Sequence, residues 1–363
     1  MTMSKLFAPY KLGNITLSNR VAMAPLTRNR AQHGQVPSLL AVDYYRQRAS
    51  AGLIITEGTA VSQQGQGYQD VPGIYTREQI AGWKKITEAV HADGGHIFMQ
   101  LWHVGRISHT SLQLNGGPPV GPSAIRANAK TFVNNAFTDV SEPRALELAE
   151  IQGVIDSFGQ AAVNAMEAGF DGVEIHGANG YLLDQFTRSS VNNRADAYGG
   201  TLENRARLIL EVANAVAGKI GGHRTGIRIS PVTPANGAAI DEDAQELFGF
   251  IVDALSAEGL IYLHVVEGAT GGARDNVPFD YVSLRRRFRG TYVANNGFDL
   301  ELAEKVLAAD AADLVAFGKP FISNPDLVER LRTGATLNDA DRSTFYGGGA
   351  KGYTDYPALA ANK

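Results

Sequence analysis

Short β-branched runs alternate with longer amphipathic stretches eight times along this chain, with no linker or composition break between them. The runs fall at 20–24, 53–57, 96–101, 172–176, 225–230, 261–266, 291–295 and 314–318. Helical patterns follow at 39–51, 77–92, 146–168, 202–217, 242–257, 281–287, 300–309 and 325–333. Strands separated by crossovers of this length must run parallel, and eight such units fit a closed (β/α)8 TIM barrel of the α/β class, about 250 residues before insertions. One barrel domain over 1–363 is the expectation. Ahead of the first strand, K-L-G-N-I-T-L places a turn signal at Gly13-Asn14 between two short runs, which predicts an N-terminal hairpin. After strand 3, a Gly/Pro/Asn-rich stretch from about Gly105 to Pro143 is too long for an ordinary βα loop and reads as a functional insertion.

A doubly wound sheet would want a glycine-rich dinucleotide turn after its first strand, but strand 1 runs into A-P-L-T-R. The match to G-x-G-x-x-G, Gly347 to Gly352, follows the last helix instead of linking a strand to a helix, so it carries no dinucleotide reading.

Composition narrows the chemistry. Cysteine is absent, which removes disulfides, thiolate nucleophiles and Cys-ligated metals. Net charge is −4, from 33 basic and 37 acidic residues spread along the chain, so no basic face marks a nucleic-acid or membrane partner. The opening M-T-M-S-K-L-F-A-P-Y lacks the apolar core of a signal peptide, and no apolar run reaches the length of a membrane span. A cytoplasmic protein acting on small molecules, as a monomer or homodimer, is expected.

In a barrel the active site lies at the C-terminal ends of the strands. Strand 4, within D-G-V-E-I-H-G-A-N-G-Y, delivers His176 at its tip, then Asn179 and Tyr181 in the following turn. Two neutral hydrogen-bond donors and a phenol make a site that can hold a carbonyl oxygen and deliver a proton. A lone histidine at a strand end is commonly structural, so the reading depends on the other strands. Strand 3 contributes Gln100 and Trp102, and strand 5 contributes Arg228. Gln100 and Arg228 together could hydrogen-bond a planar heterocycle with amide-like edges. Strands 7 and 8 end at Asn296-Gly297 and Gly318-Lys319, where backbone N–H groups and one point charge suit a phosphate. Other barrel chemistries fit less well. A metal-dependent hydrolase wants a His-x-His on strand 1, which is missing. A Schiff-base aldolase built on Lys319 leaves Gln100, Arg228 and the phosphate loops without a shared purpose. A binding protein that has lost its chemistry leaves the trio of His176, Asn179 and Tyr181 unexplained.

Long ordered segments carry a family resemblance: N-R-V-A-M-A-P-L-T-R (19–28), Q-L-W-H-V-G-R-I-S-H (100–109), H-G-A-N-G-Y-L-L-D-Q-F (176–186), Y-G-G-T-L-E-N-R-A-R (198–207) and F-Y-G-G-G-A-K-G-Y-T-D-Y-P (345–357). The chain resembles the Old Yellow Enzyme family of flavin-dependent ene-reductases. It is most similar to the bacterial branch containing glycerol trinitrate, pentaerythritol tetranitrate, N-ethylmaleimide and morphinone reductases. The resemblance implies non-covalent FMN, with Pro25, Leu26, Thr27 and Gly58 lining the flavin ring, and Thr27 bonding its O4 edge. Gln100 and Arg228 would reach the pyrimidine edge, and Asn296, Gly297, Gly318 and Lys319 the phosphate. His176 and Asn179 would hold the substrate oxygen, Tyr181 would give the proton, and Tyr68, Trp102 and Tyr346 would wall the substrate. It implies a ping-pong reaction in which NADH or NADPH reduces the flavin and an activated alkene, such as an α,β-unsaturated carbonyl or a maleimide, then takes the hydride. Nitrate esters could use the same donors, and phenols should bind as inert ligands. Two positions depart from the commoner pattern: Asn179 where several relatives have a second histidine, and Lys319 where many have arginine.

Overall fold

The computed structural model describes residues 4–359. Eight strands form the barrel: β1 Val21–Met23, β2 Leu53–Ile55, β3 Ile97–Trp102, β4 Gly172–Gly177, β5 Thr225–Ile229, β6 Tyr262–Val266, β7 Thr291–Asn295 and β8 Leu314–Phe317. Each pairs in parallel with the next, and β8 pairs back to β1, so the sheet closes. Every strand position is buried, the pattern of a sheet covered by helices outside and filled by side chains inside. The expected (β/α)8 architecture is the one found.

Alternation along the strands sorts the side chains into two cores. Ala22, Leu53, Ile55, Phe98, Tyr262, Val293, Leu314 and Ala316 fill the barrel. Val21, Met23, Ile97, Met99, Val173 and Ile175 face outward against helix residues such as Trp83, Val90, Phe158 and Ile209. The N-terminal hairpin, Tyr10–Leu12 against Ile15–Leu17, turns through Gly13 at φ 57°. Its Leu12 and Leu17 join the inner core beside Phe98 and Tyr262, so the hairpin stoppers the N-terminal end of the barrel.

The helices are α1 Leu39–Arg46, α2 Arg77–Ala92, α3 Leu148–Glu167, α4 Leu182–Thr187, α5 Leu202–Ile220, α6 Ala244–Ala257, α7 Tyr281–Arg287, α8 Leu300–Ala308, α9 Lys319–Ser323 and α10 Leu327–Thr333. The helix expected over 39–51 ends at Arg46. Beyond it the chain tightens so that the Arg48 guanidinium turns inward to the carbonyls of Tyr44 (2.8 Å), Phe321 (2.9 Å) and Ile322 (3.0 Å). Gly52 then fits against Asn19, whose carbonyl oxygen would stand 2.2 Å from any Cβ there. Among the described residues no helix is long and apolar enough to cross a membrane.

The stretch from Gly105 to Pro143 contains a hairpin of its own, Lys130–Val133 against Ala136–Asp139. Its turn is Asn134-Asn135, both left-handed (φ 52° and 58°), the conformation a two-residue hairpin loop requires and asparagine tolerates. Gln69 N–H donates to the Phe132 carbonyl at 2.7 Å, and the Thr131 hydroxyl donates to the Gly67 carbonyl. The insertion thereby covers the segment that carries Tyr68. The tail glycines also have a structural task. The Gly352 carbonyl accepts from Arg28 at 2.8 Å and the Gly349 carbonyl from Arg30 at 3.0 Å, so this segment offers acceptors to two arginines.

Candidate active site

β4 ends in a turn that is held from several sides. His176 is 4% exposed, and its Nδ1 accepts the Ala178 N–H at 3.3 Å. That contact leaves Nε2 to carry the proton of the neutral ring. Burial, then the charges of Arg228 and His264, hold the imidazole well below its ordinary range, so at neutral pH it is an uncharged donor. Asn179 is left-handed at φ 59°. Its N–H donates to the Ser230 hydroxyl at 2.8 Å, and its carbonyl accepts from the Asn236 amide at 2.8 Å. The next N–H, of Gly180, donates to Asp184 at 2.7 Å, and Asp184 forms a buried ion pair with Arg188 at 2.9 Å. Gln185 bonds the carbonyls of Val104 (2.9 Å) and Gly180 (2.7 Å), tying the β3 loop to the β4 turn.

Tyr181, which immediately precedes α4, stands in an aromatic cluster. Its ring centroid is 5.1 Å from His176 and 4.9 Å from Trp102, both edge-on. Trp102 stacks over His176 at 6.1 Å and over Tyr68 at 5.7 Å. The phenol of Tyr181 is raised above its ordinary value, chiefly by burial, and so stays protonated. Gly58 lies beneath the indole: a Cβ there would be 2.5 Å from Trp102 Cε3. Tyr346 sits at the rim, 48% exposed, with the Phe137 ring of the insertion edge-on at 6.1 Å.

Inside the barrel a polar group crosses from strand to strand. Glu174 accepts from Gln100 Nε2 (2.8 Å) and the Tyr262 hydroxyl (3.1 Å), and pairs with His264 Nδ1 (2.7 Å). Gly226, between them on β5, leaves the space that the Tyr262 ring fills, since a Cβ would come within 2.3 Å of it. Arg228 stands beside His176 in the β4–β5 register and donates to Asn295 at 2.7 Å.

A cavity of about 540 Å³ opens at the strand ends next to this group. Pro25, Leu26, Asn179, Arg228, Asn296, Gly297, Gly318 and Lys319 all line it, together with Thr270, Gly271 and Gly272 of the loop after β6. Gln100 lies below, with its amide nitrogen committed to Glu174. Thr27 continues the β1 loop and is half-buried. Gly58, His176, Tyr181, Tyr68 and Trp102 form the adjoining aromatic part, and Asn179 belongs to the boundary. The Asn296 side chain braces the β6 loop, through the carbonyls of Glu267 (2.8 Å) and Ala269 (2.9 Å), so only its backbone is turned to other uses. A second cavity of about 540 Å³, among Phe7, Leu300, Glu304 and Leu331, lies away from the strand ends.

Sequence reasoning did not find Thr270, Asn236 or Gln185 as parts of this site. Each acts from a loop or short helix without a periodic signal, on a partner whose nearness only the fold creates.

These features define a (β/α)8 barrel with a cofactor-sized cavity and uncharged hydrogen-bond donors at its strand ends. Residues 5–338 match the NADH:flavin oxidoreductase / NADH oxidase family, and the chain belongs to it. Morphinone reductase in complex with tetrahydroNAD superposes with a TM-score of 0.93 at 46% identity, over 98% of both chains. The Old Yellow Enzyme homologue of Zymomonas mobilis gives 0.94 at 42% identity, over 98% of this chain and 100% of that one. Among curated proteins, 12-oxophytodienoate reductase 1 of Oryza sativa subsp. japonica is 46% identical, over 98% of this chain and 93% of its own. Within its family the chain is an NAD(P)H-dependent flavin ene-reductase of the Old Yellow Enzyme type, and FMN is its cofactor. The cavity fits that group. Arg228 is only 6% exposed there and its Nε has no partner, a buried cation that calls for an acceptor from a bound molecule.

Proposed function

We propose that this enzyme reduces alkenes made electron-poor by a conjugated carbonyl, among them enones and maleimides, with His176 and Asn179 holding the carbonyl oxygen and Tyr181 protonating the α carbon. FMN, when bound, supplies the hydride it has received from NADH or NADPH. Pro25, Leu26, Thr27 and Gly58 would border the ring, Gln100 and Arg228 its pyrimidine edge, and Asn296, Gly297, Gly318 and Lys319 the phosphate.

One observation carries the reading: a neutral imidazole with Nε2–H as its donor stands 5.1 Å, ring to ring, from a phenol that burial keeps protonated. The imidazole and the Asn179 amide stabilise oxygen as negative charge builds on it, each such donor being worth about 3 kcal/mol of barrier. The phenol is an acid placed beside that oxygen and spends no energy on changing its charge beforehand. The same donors suit the oxygens of nitro compounds and nitrate esters, and phenols should occupy the oxygen site without reacting.

Stopped-flow measurement of the two half-reactions tests the assignment. Tyr181→Phe should slow alkene reduction by about 10²–10⁴-fold and leave flavin reduction by NAD(P)H nearly intact. Equal slowing of both halves would take the proton-donor role away from Tyr181.

A further inference from the structure

Asn179 can serve as an oxygen-site donor only if its amide is turned the right way, because the two ends of that amide are a donor and an acceptor of nearly the same shape. Left free, the side chain could present Oδ1 to the substrate oxygen, and the contact would become repulsive. The structure turns Oδ1, not Nδ2, toward the loop after β6. Thr270, in the loop 268–277 after β6, places its hydroxyl 2.7 Å from Asn179 Oδ1. The same hydroxyl lies 3.2 Å from the Thr233 hydroxyl, which donates to the Gly268 carbonyl at 2.7 Å.

Each threonine hydroxyl has one proton. Thr233 commits its proton to the Gly268 carbonyl, so it meets Thr270 as an acceptor. In the structure Thr270 donates to Asn179 Oδ1 at 2.7 Å, the nearer of its two neighbours, and the Thr233 oxygen lies farther off at 3.2 Å. When Oδ1 is held, Nδ2 is the end left for a ligand. Ser230 and Asn236 fix the backbone of Asn179 on both sides, which sets where its side chain starts from.

We infer that Thr270 is a positioning residue, which fixes the Asn179 amide with its N–H end toward the substrate oxygen. The loop after β6 thereby contributes to the oxygen site through Asn179. The inference rests on the oxygen-site reading above, and the test separates the two.

The probe is p-hydroxybenzaldehyde, a phenol, titrated into FMN-loaded enzyme while flavin absorbance is followed. Thr270→Val should weaken binding about fivefold to tenfold, the loss of one modest hydrogen bond passed on through Asn179. Thr270→Ser, which keeps the hydroxyl, should restore the affinity. The double variant Thr270→Val with Asn179→Ala should bind no worse than Asn179→Ala alone, since Thr270 acts only through that amide. Wild-type or tighter binding by Thr270→Val, with Asn179→Ala weakened, overturns the positioning role and leaves the oxygen site standing. A valine variant that no longer retains FMN also overturns it, by placing Thr270 in the cofactor site. Unchanged binding by Asn179→Ala overturns the oxygen-site reading and this inference with it.

Discussion

The Tyr68 hydroxyl lies 3.1 Å from the Tyr181 hydroxyl. The pair is asymmetric in its protons. Burial raises both phenols, but the contact raises Tyr68 further and pulls Tyr181 back down. Once Tyr181 gives up its proton, the Tyr68 hydroxyl is placed to donate to the oxygen left behind. A side chain placed by the loop under the insertion hairpin would therefore ease the proposed step in which Tyr181 acts as an acid.

Tyr68→Phe should accordingly slow the alkene half-reaction by about tenfold, the value of one hydrogen bond to a charged oxygen, with flavin reduction little changed. The rate against pH carries the distinguishing sign. With its helper gone, Tyr181 is a weaker acid, so any decline at alkaline pH moves to higher pH in the variant. A shift to lower pH would mean that Tyr68 opposes, not assists, the release of the proton.

Gly58→Ala should displace the indole of Trp102, because the added methyl carbon would meet the ring at 2.5 Å and the ring is 2% exposed. Overpacking of this kind costs about 1–3 kcal/mol. Trp102 also touches Tyr68, His176 and Tyr181, so phenol binding should fall with stability. The chain has two tryptophans, so in a Trp83→Phe background the fluorescence reports Trp102 alone. An unchanged emission spectrum would show that the ring has not moved.

Lys319 lines the cavity from the first position of α9 and is exposed. Lys319→Ala should lower FMN affinity and flatten its dependence on salt, whereas Lys319→Arg should retain both, because a planar fork can pair two phosphate oxygens. Apoprotein titrations with FMN at two ionic strengths give the answer. Affinity and salt slope equal to wild type in the alanine variant would move the lysine out of the phosphate site.

Glu57, buried just beyond β2, accepts the Arg28 N–H at 3.1 Å and faces the Tyr45 hydroxyl at 3.4 Å. Burial pushes its carboxyl up to about 7, from an ordinary 4.5. Between those values the folded chain keeps a proton that the unfolded chain has released, so this group's contribution to stability falls as pH rises from about 4.5 to 7 and is level above. The span corresponds to about 3 kcal/mol. Urea denaturation at pH 5 and pH 8 should show Glu57→Gln gaining on wild type at the higher pH. A constant difference between the two proteins would leave the carboxyl titrating as an ordinary one.

The barrel was legible because each strand is a continuous β-branched run and each crossover a periodic helix, and because closure fixes which residues reach the strand ends. His176 and Arg228 could be placed at one end from their positions alone, and they are neighbours in the ladder. The hairpin over residues 130–139 was less visible: the paired asparagines at 134 and 135 mark its turn, but its strands are short and mostly exposed. The end of α1 had no breaker to announce it, since Arg48 turns in to carbonyls 273 and 274 positions away. Separation along the chain also hides Thr270 from Asn179, 91 residues apart in sequence and joined only when β4 and β6 enter one barrel. Local pattern reports where the chain turns; which loops then meet is decided by closure.

The hairpin through Gly13 gives this molecule a floor. With Leu12 and Leu17 packed under Phe98 and Tyr262, a barrel already filled by side chains is sealed at its N-terminal end as well, so the strand-end cavity is reached from the opposite face. A molecule held at that face must leave by the way it came before another can take its place.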